Sequence, residues 1–118
     1  MALIESFVAA WNASDVDRLV SLLARDARFS MPPIPSWFDG RDAIRQFVAE
    51  QVFARAWRAI PTRASGQLAF ALYMGPDFQL GALNVVSIRG SEIVEMTGFL
   101  DPASHARLRL PKDLPADR

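Results

Sequence analysis

Apolar residues at Ile4, Phe7, Val8 and Trp11 recur at i, i+3, i+4 and i+7, the spacing that lines one face of an α-helix. Asn12, Ala13 and Ser14 interrupt the stripe. Ser14 is expected to cap a second helix, with Asp17 three positions on as its capping-box partner. Val16, Leu19, Val20 and Leu23 supply that helix's apolar side. Ala27, Phe29 and Met31 then alternate with Arg28 and Ser30, the period of a half-buried strand. Pro32, Pro33 and Pro35, followed by Ser36 to Gly40, predict a stiff loop, because proline lacks an N–H donor and blocks helix. Its two large aromatics, Trp37 and Phe38, are expected to fold back over the core as a lid. Residues 41–52 predict a third helix, with Ile44, Phe47, Val48 and Val52 on one face and Asp39 and Gly40 suited to its start.

Beyond residue 56 the period changes to that of strands. Four are expected, over 56–64, 67–74, 78–88 and 92–100. They are separated by Ser65-Gly66, Gly75-Pro76-Asp77 and Arg89-Gly90-Ser91, which are turn signals. Short turns between successive strands imply hairpins and an antiparallel meander. A tail follows over 101–118. Its Leu108, Leu110 and Leu114 are placed to pin it to the body, and its last residues are expected to fray. The chain of 118 residues has the length of one domain. The order of elements predicts an α+β fold, a cone-shaped roll in which three N-terminal helices pack on the concave face of a curved antiparallel sheet. The open end of such a cone is a natural apolar pocket.

Composition narrows the function. Apolar residues make up 51% of the chain, with eight Phe and three Trp, enough for a packed core and against disorder. Thirteen basic and thirteen acidic residues cancel, so no positive face for a phosphate backbone is indicated and direct nucleic-acid binding is not expected. The chain has no cysteine and a single histidine, His105. Disulfides, thiolate nucleophiles and cysteine- or histidine-rich metal sites are therefore excluded, and no cofactor is expected. No apolar run reaches the length of a bilayer span. The start, with Glu5 and no basic leader, does not read as a signal peptide, which makes the cytoplasm the expected compartment.

Several strings carry a resemblance. FVAAWNASDVDRLVSLLARDARFSMPP, GRDAIRQFV and GSEIVEMTGFLD resemble the helix–helix–strand opening, third helix and last strand of the nuclear-transport-factor-2-like superfamily, which includes SnoaL-like polyketide cyclases and has a cystatin-like roll. SMPPIPSWFDGRDAI, PTRASGQLAFALY and TGFLDPASHARLRLPKDLP are similar, more specifically, to the C-terminal SnoaL-like domain of certain actinobacterial extracytoplasmic-function sigma factors. In those proteins an N-terminal part binds RNA polymerase and promoter DNA, and the resemblance implies a sensory or regulatory role for the appended domain, with the sigma-factor core as partner in cis. Ser65 stands where that family more often has Asn. No sigma part is present, so a chain starting at Met1 is expected to be either an excised domain or a stand-alone relative.

The resemblance also says where catalytic groups belong. Ketosteroid isomerases use an Asp base with a Tyr and a protonated Asp as donors, limonene epoxide hydrolases an Asp-Arg-Asp set around a water, and SnoaL-type cyclases an Asp near the last strand. Here the inward set Ala27, Phe29 and Met31 holds no acid, and 67–74 contains no Asp, Glu or Arg. On the last strand Glu92 and Glu95 are the only acids before Asp101, and Gly98 stands where the cyclase Asp would be. The acid–base pair these mechanisms require is missing. Asp101, Tyr73 and Arg63 remain as candidates for unfamiliar catalytic roles.

For a pocket, the candidate lining is Trp11, Phe29, Met31, Trp37, Phe38, Phe47, Trp57, Arg63, Tyr73 and Asn84. Each has a plainer alternative. The aromatics suit core packing. Arg63 reads either as a surface residue at a hairpin end, paired with Asp101 or Asp39, or as a clamp for an anionic ligand at the cone mouth. Tyr73 and Asn84 read either as satisfied polar groups of the core or an interface, or as ligand contacts. Asp101 suits a helix cap over 102–105. Three functions follow: a non-catalytic ligand-sensing or regulatory domain for a small apolar ligand; a cyclase, isomerase or epoxide hydrolase; and an interaction module. The last would form a homodimer through the open face of the sheet, where 78–88 offers apolar residues on both sides.

Overall fold

Phe7, Ala10 and Trp11, on one side of helix α1 (Ala2–Ala13), are fully buried, as the apolar stripe requires. The computed structural model describes residues 2–32, 34–64 and 66–100. Asp101, His105 and the leucines of the tail lie outside the described residues. Asn12 continues α1, and its side-chain oxygen accepts from the Ala59 backbone N–H at 2.9 Å, tying the helix to the edge strand of the sheet.

Helix α2 (Val16–Ser21) is capped by Asp15, whose carboxylate accepts from the Arg18 N–H at 3.1 Å. The expected Ser14–Asp17 box is not formed. Ser14 has a left-handed φ of 53° and serves to reverse the chain after α1, its N–H bonded to the Trp11 carbonyl. That conformation leaves the capping position to the next residue.

Strand β1 (Leu23–Met31) buries Leu23, Ala24, Ala27 and Phe29. The proline segment that predicts a loop is instead strand β2 (Ile34–Asp39), antiparallel to β1. It lies at the edge of the sheet, where a missing N–H can face away from the ladder. Helix α3 (Arg41–Phe47) follows Gly40, which has a φ of 91° and no side chain to cap it. Asp39 does not cap either; its carboxylate is held by Arg28 and Trp37. The last turn of the expected third helix widens to a π-turn over Val48–Val52, with the Phe53 N–H bonded to the Val48 carbonyl at 2.8 Å.

Strands β3 (Trp57–Ala64), β4 (Gln67–Met74), β5 (Gln79–Arg89) and β6 (Glu92–Phe99) form the expected meander. The sheet order is β2-β1-β6-β5-β4-β3. The sheet is not wholly antiparallel, because β6 returns alongside β1 in the same direction. This α+β fold, a curved six-stranded sheet with N-terminal helices, keeps its core between the helices and one sheet face. Ala59, Leu72 and Ala82 form one cross-strand row on that face; Phe70 and Asn84 belong to the next. No helix among the described residues is long and apolar enough to cross a membrane.

Candidate functional site

Strand alternation points Ala82, Asn84 and Val86 of β5 toward the helices. Asn84 is the only buried side chain among the described residues that is neither apolar nor aromatic, and it is 0% exposed. Its cross-strand neighbours are Phe70 on β4 and Gly98 on β6. Phe70 is stacked by Phe7 of α1, ring centres 4.0 Å apart. Gly98 leaves room for about one methyl group beside Asn84: a Cβ there would stand 3.6 Å from Phe29 and 3.7 Å from Met31.

Neither the Oδ1 nor the Nδ2 of Asn84 has a hydrogen-bond partner in the protein, and the same is true of the buried indole N–H of Trp11. A buried amide without partners destabilises a fold by about 1–3 kcal/mol for each group left unmet. The interior therefore presents one acceptor and two kinds of N–H donor, all neutral, in apolar surroundings. No carboxylate is buried among the described residues, and no cluster of three metal-ligating side chains occurs among them.

A groove lies beside the β3–β4 turn and the end of β5. A space of about 620 Å³ is lined by Ile4 of α1, Arg63, Gln67, Leu68, Val86, Ser87 and Ile88. Gln67 donates from its side-chain amide to the Ser87 hydroxyl at 3.2 Å, fixing one wall. Arg63 has no ion-pair partner among the described residues; Asp39, one of its two expected partners, is engaged by Arg28 at 2.7 Å. Val86 lies two residues from Asn84 on the same face of β5, a step of about 7 Å, and Asn84 itself is not part of the lining.

The aromatic candidates fall into two groups. Trp11 meets Trp57 edge to face at 5.3 Å and Phe53 at 5.1 Å, and Trp57 donates its indole N–H to the Val52 carbonyl at 2.8 Å. Phe47 stacks on Phe38 at 4.2 Å and meets Phe29 at 5.9 Å, with half-buried Met31 against the same cluster. Trp37 does not fold over the core as a lid. It is 58% exposed, its indole N–H donates to Asp39 at 3.2 Å, and the Arg28 guanidinium sits 5.5 Å from its ring. Alternation along β2 explains this, since inward Phe38 forces outward Trp37. Tyr73 is buried, on the sheet face away from the helices. Ile4, Gln67, Leu68, Val86, Ser87 and Ile88 are groove residues that sequence patterning did not single out. Gln67 and Leu68 open β4, Val86, Ser87 and Ile88 lie toward the end of β5, and Ile4 comes from α1, so no single local pattern marks them.

Two exterior groups have displaced titration. Arg89 donates to Asp26 at 3.1 Å, and this hydrogen bond, ahead of other effects, holds the Asp26 carboxyl below its ordinary value. The Asp39 carboxylate raises Arg28 through its hydrogen bond first and its charge second.

A family model for the SnoaL-like domain matches residues 4–96. The chain belongs to the SnoaL-like family. This SnoaL-like chain is 35% identical, over 95% of its length, to the ECF RNA polymerase sigma factor SigG of Mycobacterium tuberculosis. It spans about a third of the length of that relative, 32%. Among solved structures, it is similar to an NTF-2 like protein of unknown function from Burkholderia xenovorans (TM-score 0.73, 13% identity, 99% of this chain and 88% of that one). A second is a SnoaL-like protein of unknown function from Burkholderia thailandensis (TM-score 0.68, 18% identity, 82% and 90%). A third, from Catenulispora acidiphila, has a ketosteroid isomerase-like fold and was solved in complex with trimethylamine (TM-score 0.64, 20% identity, 96% of each chain). At these identities the likeness concerns the fold.

Proposed function

We propose that this SnoaL-like chain is a non-catalytic, ligand-sensing regulatory domain that works with a sigma-factor core in the cytoplasm. The observation that carries the reading is the fully buried, unpartnered amide of Asn84 in an interior where no described carboxylate is buried. Buried polar groups in native proteins are almost always satisfied. An amide left unpartnered in the apolar interior is therefore suited to a ligand's own polar group.

The ligand class follows from the donors. Asn84 and Trp11 are neutral, so a charged group would be poorly matched at the centre. An apolar body carrying a carbonyl or hydroxyl fits, with the side chains of Phe29 and Met31 beside Gly98 against its hydrocarbon. Arg63 in the groove, with Gln67 and Ser87, would meet any polar end that projects outward. Acid–base catalysis needs a positioned titratable group, and a described interior of amide, indole and hydrocarbon favours binding over turnover. The identity to SigG supports the regulatory setting.

The test is an amide-detected NMR titration with two probes of matched shape, 2-decalone and decalin. The Asn84 side-chain NH₂ signals and the Trp11 indole signal should shift with the ketone and far less with the hydrocarbon. If neither probe nor a wider set of apolar ketones and alcohols moves these signals, the reading fails.

A further inference from the structure

Arg63, Leu68 and Val86 share one face of the sheet. Arg63 stands on β3, the outermost strand, in register with Leu68 on β4. Leu68 lies one step beyond the Ala69–Val85 pair, which makes Val86 its neighbour on β5. Alternation from buried Ala59 turns Arg63 toward the helix side, and Ile4 of α1 lines the same groove. An arginine is thus set at the rim of a strip of hydrocarbon.

The groove has an apolar part and a polar part. Ile4, Leu68, Val86 and Ile88 supply the first, and Ile88 leaves 39% of its surface open to solvent. Arg63, Gln67 and Ser87 supply the second. Arg63 is the only ionic side chain among the described lining residues, and it forms no ion pair among the described residues. The Ser87 hydroxyl accepts from Gln67 at 3.2 Å, and a hydroxyl that accepts keeps its own proton to donate. Glu95, the acid across β6 from Ser87, is in register with Arg28 on β1 and is not part of the lining. A guanidinium fork matches the two oxygens of a carboxylate. A single cation suits a monoanion and would leave half the charge of a phosphate dianion unmet. The space of about 620 Å³ falls within the range of about 300–1,000 Å³ typical of small-molecule sites, far more than a bare anion fills.

We propose that this groove is a binding site for an amphiphilic monocarboxylate, an alkyl chain ending in one carboxylate. Arg63 holds the carboxylate, the Gln67–Ser87 pair forms the polar wall, and Leu68, Val86, Ile88 and Ile4 take the chain. From β3 to β5 is two strand spacings, about 10 Å, so the arginine and the far hydrocarbon are separated as the two ends of a medium-length chain are. Charge and hydrocarbon act together here. The carboxylate gives Arg63 the ion pair it does not make among the described residues, and the chain removes the open part of Ile88 from water. The site needs no ligand at Asn84, which does not line it.

The test titrates the full chain with sodium octanoate, 1-octanol and sodium acetate, each well below micelle formation, and follows the backbone amide signals of Leu68, Ser87 and Ile88. Octanoate should shift them and bind about tenfold more tightly than octanol, as a charge-assisted pair requires. Acetate should hardly move them. Arg63→Gln should bring octanoate down to the octanol level, and Ile88→Ser should weaken octanoate several-fold; both side chains are exposed, so the fold tolerates either change. Equal binding of octanoate and octanol, an unchanged octanoate affinity in Arg63→Gln, or acetate bound as tightly as octanoate overturns the proposal. Octanoate shifts confined to Asn84 and Trp11 overturn it as well. The 2-decalone titration reads those two residues by themselves, so this site and the interior ligand can each fail without the other.

Discussion

Asn84 and Gly98 face each other across β5 and β6, one an amide with no protein partner, the other a glycine whose missing Cβ would just touch Phe29 and Met31. The pairing sets a polar demand beside a gap of about one methyl group. Gly98→Ala should be accepted, since the added Cβ makes ordinary contacts at 3.6 and 3.7 Å. Stability should change by no more than about 1 kcal/mol, with a gain from reduced chain entropy. Gly98→Asp should instead install a buried carboxylate. Its folded pKa would be raised, so the loss of stability should be absent below the ordinary carboxyl range and should grow as pH rises through it. Denaturant unfolding of both variants against pH checks this.

The cap of α2 gives a second prediction. Asp15→Ala should destabilise by about 1 kcal/mol, the usual effect of losing an N-cap oxygen. Ser14→Ala should not lose a cap, and Ser14→Gly should be neutral or stabilising, because Ser14 holds a φ of 53° that glycine adopts freely. Urea midpoints of the three variants separate Asp15 from Ser14 as the capping residue.

Phe70 locks α1 to the sheet through Phe7 and is 1% exposed. Phe70→Ala should lose about 3–5 kcal/mol, enough to threaten folding at this size. Phe70→Leu should lose far less. Thermal unfolding of the two checks whether the stack or mere volume sets the position of α1.

On the exterior, Asp26 is held below its ordinary value chiefly by the hydrogen bond from Arg89. A depressed folded pKa means stabilisation that is present above the unfolded carboxyl value and is lost as pH falls through the folded one. Arg89→Leu should move the Asp26 titration, followed by carboxyl NMR, upward toward the ordinary aspartate range, with the residual lowering left by its backbone hydrogen bond. Global stability at neutral pH should hardly change, since both side chains are well exposed.

Much of this architecture is written in local periods. Ile4 to Trp11 read as a helix, and β4 reads residue for residue because two turns bracket it. The misreadings have physical causes. Pro35 signals a loop locally, but an edge strand needs only one of its two hydrogen-bonding sides, which no local rule reveals. Ser14 looks like a cap by residue type and is excluded by a backbone angle. The parallel contact of β1 with β6 joins residues far apart in sequence. The same limit applies to the site. Asn84 is visible as a polar residue in an apolar strand, but its lack of partners is a property of the packed interior. Ile4 and Val86 line one groove only because α1 packs across the sheet.

The most direct measurement is a comparison of the native chain with Asn84→Leu, reading stability by denaturant unfolding and binding by titration with 2-decalone. Removing an unmet amide for a side chain of similar volume should stabilise the empty domain, by about 1–3 kcal/mol, and should abolish the ketone's effect. A variant that is less stable than the native chain and binds the ketone unchanged would contradict the account, because Asn84 would then be a satisfied structural residue and the cone's interior would not be built to receive a ligand.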